Sequence, residues 1–274
     1  MRVPALCCLA ITLTACSFTG GVTTRLSDAL LNQPDPQIVA DGAPAFLLIV
    51  DALITGDPKD ADLLLAGSKL YASYAGNFVT DTERATRLAE RAFAYARRAT
   101  CVELKALCPV LDKPFADFSP VVSAAGKPEV LYALGAAWAT RIQTQPGDWL
   151  LIADLPKVRA LMQRALALEP ALDQGGPHVY LGVLDTLLPP ALGGKPEEAR
   201  QHFEKALALS GERNLMIKVL LARHYERLVF DQELHDALLN EVLMSPVEAD
   251  RLTLINQLAQ DQARELLTTG ADYF

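Results

Sequence analysis

The sequence predicts an all-α protein of about ten helices that stack in antiparallel pairs. One observation is the recurrence of proline where helices would begin; proline is tolerated there because its missing N–H would have no intrahelical partner. A second is apolar spacing of three and four residues, as in Leu161, Ala165 and Leu168. A third is the lack of β-branched runs with period two, the usual signal of strands.

Helix-start signals place each element in order. Asp57 precedes Pro58, Thr80–Glu83 reads as a capping box, and Ser245–Glu248 reads as another with proline at its first helical position. Residues 102–127 hold three prolines and are expected to form one long irregular segment. The predicted helices cover 44–55, 58–77, 81–100, 128–143, 156–169, 177–188, 196–209, 213–229, 231–244 and 246–268, with a short additional one over 25–33.

The helix pairs match the pattern of tetratricopeptide repeats, which are pairs of 34 residues. Residues 215–248 fit that length without a gap, and Ala199, Phe203 and Ala206 have the spacing of a second repeat helix. A single pair cannot bury its apolar face, so neighbouring pairs stack into an α-solenoid. The alternative is a generic helical bundle with Ala- and Leu-rich packing.

The N-terminus reads as a lipoprotein signal. Arg2 precedes an apolar run, Val3–Leu13, that is too short to span a bilayer, and Leu13-Thr14-Ala15-Cys16 follows it. The pattern predicts a signal peptide over 1–15, a lipidated Cys16 in a tether over 16–25, and a helical domain over 26–274. Serine at position 17 favours the inner leaflet of the outer membrane, facing the periplasm. The alternative is an ordinary secretory signal with a chance cysteine.

Two further cysteines, Cys101 and Cys108, remain in the mature chain. An oxidising compartment permits a disulfide. Seven helical residues rise about 10.5 Å, which exceeds the ~7 Å limit between bridged Cα atoms. A disulfide therefore requires the helix to end between the two residues, and Pro109 favours a nearby end. The sequence does not decide whether the disulfide forms.

Composition and motifs exclude several functions. The chain has 25 Lys+Arg against 33 Asp+Glu, a net charge of −8, so nucleic acid is not an expected partner. Nucleophile-elbow, zinc-protease, P-loop and dinucleotide motifs are absent, and no histidine has a second His or Cys at metal-ligand spacing. The sequence therefore predicts a protein that is not an enzyme and takes no cofactor or metal.

Several segments together resemble one known family. The most specific is Leu187-Leu188-Pro189-Pro190-Ala191-Leu192-Gly193-Gly194-Lys195-Pro196. The others are Gly42-Ala43-Pro44-Ala45-Phe46-Leu47-Leu48, Leu70-Tyr71-Ala72-Ser73-Tyr74-Ala75-Gly76, His178-Val179-Tyr180-Leu181-Gly182 and Phe230-Asp231-Gln232-Glu233-Leu234-His235. From about residue 26 to 268 the chain is similar to the T-components of TRAP transporters, which are periplasmic lipoproteins with tetratricopeptide-like repeats.

The resemblance implies a function. Members of that family are thought to form homotrimers, to associate with the solute-binding P-component of a tripartite ATP-independent transport system, and to offer an apolar path to a small hydrophobic ligand. The expected contact with the membrane is through the lipid anchor alone. The competing hypothesis is a tetratricopeptide scaffold lipoprotein that assembles envelope proteins by binding peptides in its concave groove.

Candidate binding residues follow from the concave face that first repeat helices form. Arg141 is expected to pair with an acidic ligand group or with Asp185. The loop 188–195 combines stiff prolines with permissive glycines and is expected to form a shaped surface for a partner, the alternative being a plain connector. Trp138 and Tyr225 also occupy repeat-packing positions, so a core role competes. The full set is Trp138, Arg141, Trp149, His178, Tyr180, Asp185, Pro189, Gly193, Gly194, Lys218 and Tyr225.

Overall fold

A computed structural model describes residue 25 and residues 27–274, and within this part the chain forms helices and no strand. The all-α prediction is confirmed. The predicted signal peptide and Cys16 lie outside the described residues. The helices are α1 (Pro36–Gly56), α2 (Ala61–Phe78), α3 (Thr82–Glu103), α4 (Phe115–Ala124), α5 (Pro128–Gln143), α6 (Trp149–Ile152), α7 (Leu155–Leu168), α8 (Gly176–Thr186), α9 (Pro196–Leu209), α10 (Leu215–Leu220), α11 (Arg227–Val229), α12 (Gln232–Met244) and α13 (Thr253–Thr269).

Helices close in sequence pack against each other: α2 with α3, α5 with α7, α8 with α9, and α12 with α13. The largest apolar core runs from α1 to α8, and two smaller cores join α9 to α13. Small residues allow close approach, since a Cβ on Gly135 would lie 2.7 Å from Met162 Cε and one on Gly182 would lie 2.9 Å from the Phe203 ring. The assignment of these pairs to 34-residue repeats stays a prediction.

Helix boundaries follow both prolines and capping residues. Helices α5 and α9 begin and end where the sequence predicts. Asp81 and Asp231 accept hydrogen bonds from backbone N–H groups in the first turns of α3 and α12, as N-caps do. Helix α2 begins at Ala61 and is capped by Asp60 rather than Asp57.

Three further predictions about boundaries were wrong. Helix α1 begins at Pro36 behind the capping side chain of Asp35, so Pro44 lies inside the helix instead of opening it. Residues 246–252 are not helical, and the last helix begins at Thr253. The segment 102–127 is not irregular throughout, because α4 occupies Phe115–Ala124 with Pro120 inside it.

A neighbouring helix compensates the proline in α1. Pro44 has no N–H, so the carbonyl of Ala40, four residues earlier, lacks its helical donor. The phenol of Tyr74 on α2 donates to that carbonyl over 3.2 Å. A hydrogen bond between two helices thus replaces one that α1 cannot make.

Helix α1 has two distinct faces. Val39, Ala43, Leu47, Val50 and Ile54 are buried against the core. The opposite face exposes large apolar side chains, Ile38, Leu48, Ile49 and Leu53, with Leu48 72% exposed. Among the described residues this is the one helix long and apolar enough to cross a membrane by length and composition, with a mean hydropathy of 1.9. Its buried stripe packs against α2.

A π-helical turn, Leu221–Glu226, joins α10 to α11 within a continuous helix. Such turns widen the helix by one residue and change which side chains face inward. Glu226 at its end is buried, and this burial, with Asp231 nearby, raises the pKa of its carboxyl group to about 7.

Cys101 and Cys108 form a disulfide, with Cα atoms 4.7 Å apart. Helix α3 ends at Glu103, between the two cysteines, so the chain turns back as a bridge requires. The bond holds the end of α3 to the segment before α4.

Candidate functional site

A cleft of about 540 Å³ is formed by α3, α5 and Pro58. This volume lies within the ~300 to 1,000 Å³ that small-molecule sites usually have, and the cleft is open to solvent. Phe93, Ala94 and Val102 supply apolar lining. Arg97, Arg98 and Arg141 supply basic lining.

The sequence of α3 explains how these side chains reach the cleft. Alanines on its buried side, Ala89, Ala92, Ala96 and Ala99, let α2 and α5 approach closely. Successive residues are turned by about 100° around an α-helix, so positions between two of these alanines face other directions. Arg97 and Arg98 follow Ala96 and are therefore turned toward the cleft.

Two of the cleft arginines are neutralised by carboxylates. Arg97 donates two hydrogen bonds to Asp112, of 2.7 and 2.6 Å, and these bonds lower the pKa of the Asp112 carboxyl group. Arg141 donates from Nε to Glu90 over 2.6 Å. Both guanidinium groups lie beside the ring of Phe93, at 5.7 and 4.9 Å from its centroid. Their positions are fixed by both ion pairing and cation–π contact.

Arg98 has a different environment. Its Nη2 donates to the carbonyl oxygen of Pro58 over 2.9 Å, and its guanidinium lies 5.5 Å from the Tyr95 ring centroid. Arg98 also lines a second depression, of about 320 Å³, which Arg91 and Tyr95 border. Its side chain therefore stands between two adjoining depressions.

A partly buried hydrogen-bond network supports the second depression. Asp51 of α1 accepts hydrogen bonds from Tyr71 of α2 and from Tyr95 and Arg91 of α3. Burial, followed by the hydrogen bond to Asp51, raises the pKa of both phenols. One carboxylate thus ties three helices together beside Arg98.

Of the predicted binding residues, Arg141 alone lines the cleft. Trp138 is 2% exposed and lies behind Phe93, with ring centroids 4.9 Å apart, so it belongs to the core. The predicted pairing of Arg141 with Asp185 was wrong. Asp185 pairs instead with Arg159 over 2.6 Å, because both lie at the contact of α7 with α8.

His178 and Tyr180 on α8 make two separate contacts away from the cleft. His178 and His202 face each other with their Nδ1 atoms 2.7 Å apart. Burial, with His202 adjacent, lowers the pKa of His178 to about 4. Tyr180 packs edge-on against Tyr132, with centroids 5.9 Å apart, and burial raises its pKa to about 12. None of these side chains borders either depression.

The other predicted residues are dispersed. Trp149 is 78% exposed on the short helix α6. Lys218 is buried and pairs with Glu241 over 2.6 Å, and Tyr225 is buried with its phenol 3.4 Å from Glu197. Lys218 and Tyr225 thus have structural partners.

The glycine-rich loop has a defined backbone. Gly193 adopts a left-handed conformation at φ +95°, and a Cβ on Gly194 would lie 1.7 Å from the carbonyl oxygen of Leu188. Pro189 and the apolar side chains of Leu187, Leu188 and Leu192 are exposed around it. The loop is therefore a tightly folded apolar projection.

The sequence reasoning missed Phe93, Arg97 and Arg98. A signal was present, because α3 carries five arginines in an acidic chain: Arg84, Arg87, Arg91, Arg97 and Arg98. Arginines concentrated on one helix are informative where the whole molecule carries net negative charge.

The described residues include no group of three or more His, Cys, Asp or Glu side chains that could hold a metal ion. Comparison with curated proteins gives no match. The family model of the TRAP transporter T-component matches residues 32–274, which include every residue of the cleft and the loop. The chain therefore belongs to the TRAP transporter T-component family.

Proposed function

We propose that the protein is a lipid-anchored periplasmic subunit that docks a TRAP-type solute-binding protein and offers a path to its ligand. Family membership supplies the accessory role in TRAP transport. The observation that carries the ligand path is the arginine-lined cleft, which combines an apolar wall with fixed cations. Such a surface orients an amphipathic molecule.

The surface of the molecule supports docking. The loop around Gly194 exposes Leu187, Leu188 and Leu192, with Leu192 68% exposed. The outer face of α1 adds further exposed apolar area, and exposed apolar patches mark contact surfaces. Association into a homotrimer and docking of the solute-binding protein are the two contacts that would cover such area.

Co-purification tests the proposal. The full chain, tagged and extracted from membranes, is expected to capture a TRAP-type solute-binding protein from the same cell. A periplasmic binding protein of an ATP-driven transporter serves as the specificity control and is expected in the flow-through. Native mass measurement of the captured complex reports whether the chain is trimeric. Equal recovery of both binding proteins, or of neither, would contradict the docking role.

A further inference from the structure

Positive charge converges on one surface of a molecule whose net charge is −8. Arg91, Arg97, Arg98 and Arg141 all border the two adjoining depressions beside α3. Charges of one sign around a concave, partly apolar surface raise the local concentration of oppositely charged ligands. The surface therefore favours an anion.

The ion pairs determine how much charge the ligand carries. Arg91 pairs with Asp51, Arg97 with Asp112 and Arg141 with Glu90. Arg98 has no carboxylate within ion-pair distance among the described residues, and its one hydrogen bond goes to the neutral carbonyl of Pro58. Three arginines are thus neutralised, and one positive charge is left for a ligand.

Arg98 has the donors to use that charge. A guanidinium carries five N–H groups in a planar fork that matches a carboxylate. Its contact with Pro58 occupies one of them, and its stacking on Tyr95 holds the plane of the fork in place. A carboxylate can therefore bind Arg98 without displacing an existing ion pair.

The wall next to Arg98 specifies the rest of the ligand. Phe93, Ala94 and Val102 line the cleft, and Glu90 is the carboxylate that borders it. A second negative charge on the ligand would meet either this apolar wall or Glu90. An uncharged chain of several carbons would instead bury its surface against Ala94 and Val102, the apolar lining residues that are not already buried in the core.

We propose that this cleft binds an amphipathic monoanion, with one carboxylate on Arg98 and an apolar body over Ala94 and Val102. The assignment rests on the proposed function, because it names the chemical class of the ligand that the cleft takes. It discriminates against a dicarboxylate of the same length and against the uncharged analogue.

Three six-carbon probes test the charge requirement: hexanoate, hexan-1-ol and adipate. Each is titrated into the full chain in amphipol, and binding is followed by ligand-observed proton NMR with amphipol alone as the blank. Hexanoate is expected to bind at least about tenfold more tightly than the alcohol or the dicarboxylate, because a hydrogen bond to a charged group contributes more than a neutral one. Equal affinity for hexanoate and hexan-1-ol, or tighter binding of adipate, overturns the proposal.

Two variants test whether Arg98 is the residue that binds the carboxylate. Arg98→Gln removes the charge at the cleft and is expected to reduce hexanoate affinity at least about tenfold. Arg87→Gln is the matched control, since Arg87 lies on the same helix, is exposed, and pairs with Glu83 away from the cleft. Unchanged hexanoate binding in Arg98→Gln, or an equal loss in Arg87→Gln, overturns the assignment to Arg98.

Capture of the solute-binding protein by the same preparations separates the two proposals. Wild-type chain that captures the binding protein but shows no preference for hexanoate contradicts the ligand assignment and leaves the docking role standing. Chain that prefers hexanoate but captures no binding protein contradicts the docking role and supports the cleft.

Discussion

The pKa of His178 is determined by the groups that surround it. Its Nδ1 faces the Nδ1 of His202, so one of the two nitrogens must carry the proton and the other must accept it. Addition of a proton to His178 would place charge in a buried site beside His202 and Lys205, which is why its pKa is lowered to about 4. The pair is therefore stable when neutral.

This pair predicts a dependence of stability on pH. In the unfolded chain a histidine has a pKa of about 6.5, so between that value and about 4 the unfolded state binds the extra proton. The contribution of His178 to the free energy of unfolding is fully present above pH 6.5 and is lost as pH falls toward 4. Urea unfolding of wild type and His178→Gln at pH 7.5 and 5 is expected to show a smaller acid-induced loss in the variant.

The comparison cancels groups common to both proteins, including Glu226, whose raised pKa acts in the opposite direction. An acid-induced loss of unfolding free energy that is the same in both proteins would show that the pair does not carry this dependence. The sequence did identify His178, but it could not identify His202 as its partner, since the two lie on different helices and their contact depends on how α8 packs on α9.

At the scale of elements, the connection from α8 to α9 is more constrained than its length requires. The N–H of Gly194 donates to the Pro189 carbonyl over 3.1 Å, and the N–H of Lys195 donates to the Asp185 carbonyl over 2.8 Å. These bonds fold the loop back on the end of α8. Its prolines and glycines predicted a turn of defined shape. The structure shows that Gly194 is the glycine with no room for a Cβ atom.

Gly194→Ala is expected to destabilise the protein by roughly 1–3 kcal/mol and to weaken capture of the solute-binding protein. The added Cβ would lie 1.7 Å from a backbone carbonyl, which cannot move as a flexible side chain can. Gly147→Ala is the matched control, because a Cβ there meets no atom within 4 Å. Urea unfolding and binding-protein capture measure the two effects.

A Gly194→Ala variant as stable as Gly147→Ala would show that the loop accommodates a side chain. Native stability with lost capture would place the effect at the partner surface alone. Native capture despite lost stability would favour the plain connector.

The helix boundaries show what local sequence can predict. Helices α5 and α9 begin at prolines, and the patterns located both ends. Pro44 gave the wrong start for α1 because Tyr74 supplies the missing donor from another helix. Tertiary contacts of this kind override local rules. Helix α4 was missed because its interior proline, Pro120, reads as a helix breaker.

At the scale of the whole molecule, the all-helical architecture and the family were accessible from sequence, because periodicity and segment likeness are local signals. The cleft could not be predicted in full from the sequence, since it depends on how α3 and α5 pack side by side with Pro58. Arg141 was identified from one helix alone. Its partners Glu90 and Phe93 lie on another.

Attachment to the membrane is expected to depend on Cys16. Each buried methylene of an acyl chain contributes about 0.8 kcal/mol, so two or more chains anchor far more firmly than one. Cys16→Ser should therefore move the protein into the soluble periplasmic fraction or leave its signal uncleaved. Fractionation followed by mass measurement of the N-terminus checks this, with Ser17→Ala, which keeps the cysteine, as control. Retention and processing like those of wild type would contradict lipidation.

The phenol of Tyr74 that replaces the missing donor in α1 has a consequence for folding order. A nascent α1 leaves the Ala40 carbonyl to be hydrated until α2 has formed and delivered its hydroxyl group. Completion of the first helix therefore depends on the second, although the chain is synthesised from its N-terminus. Opening of α2 removes that hydroxyl group from the carbonyl, so α1 is expected to loosen when α2 does.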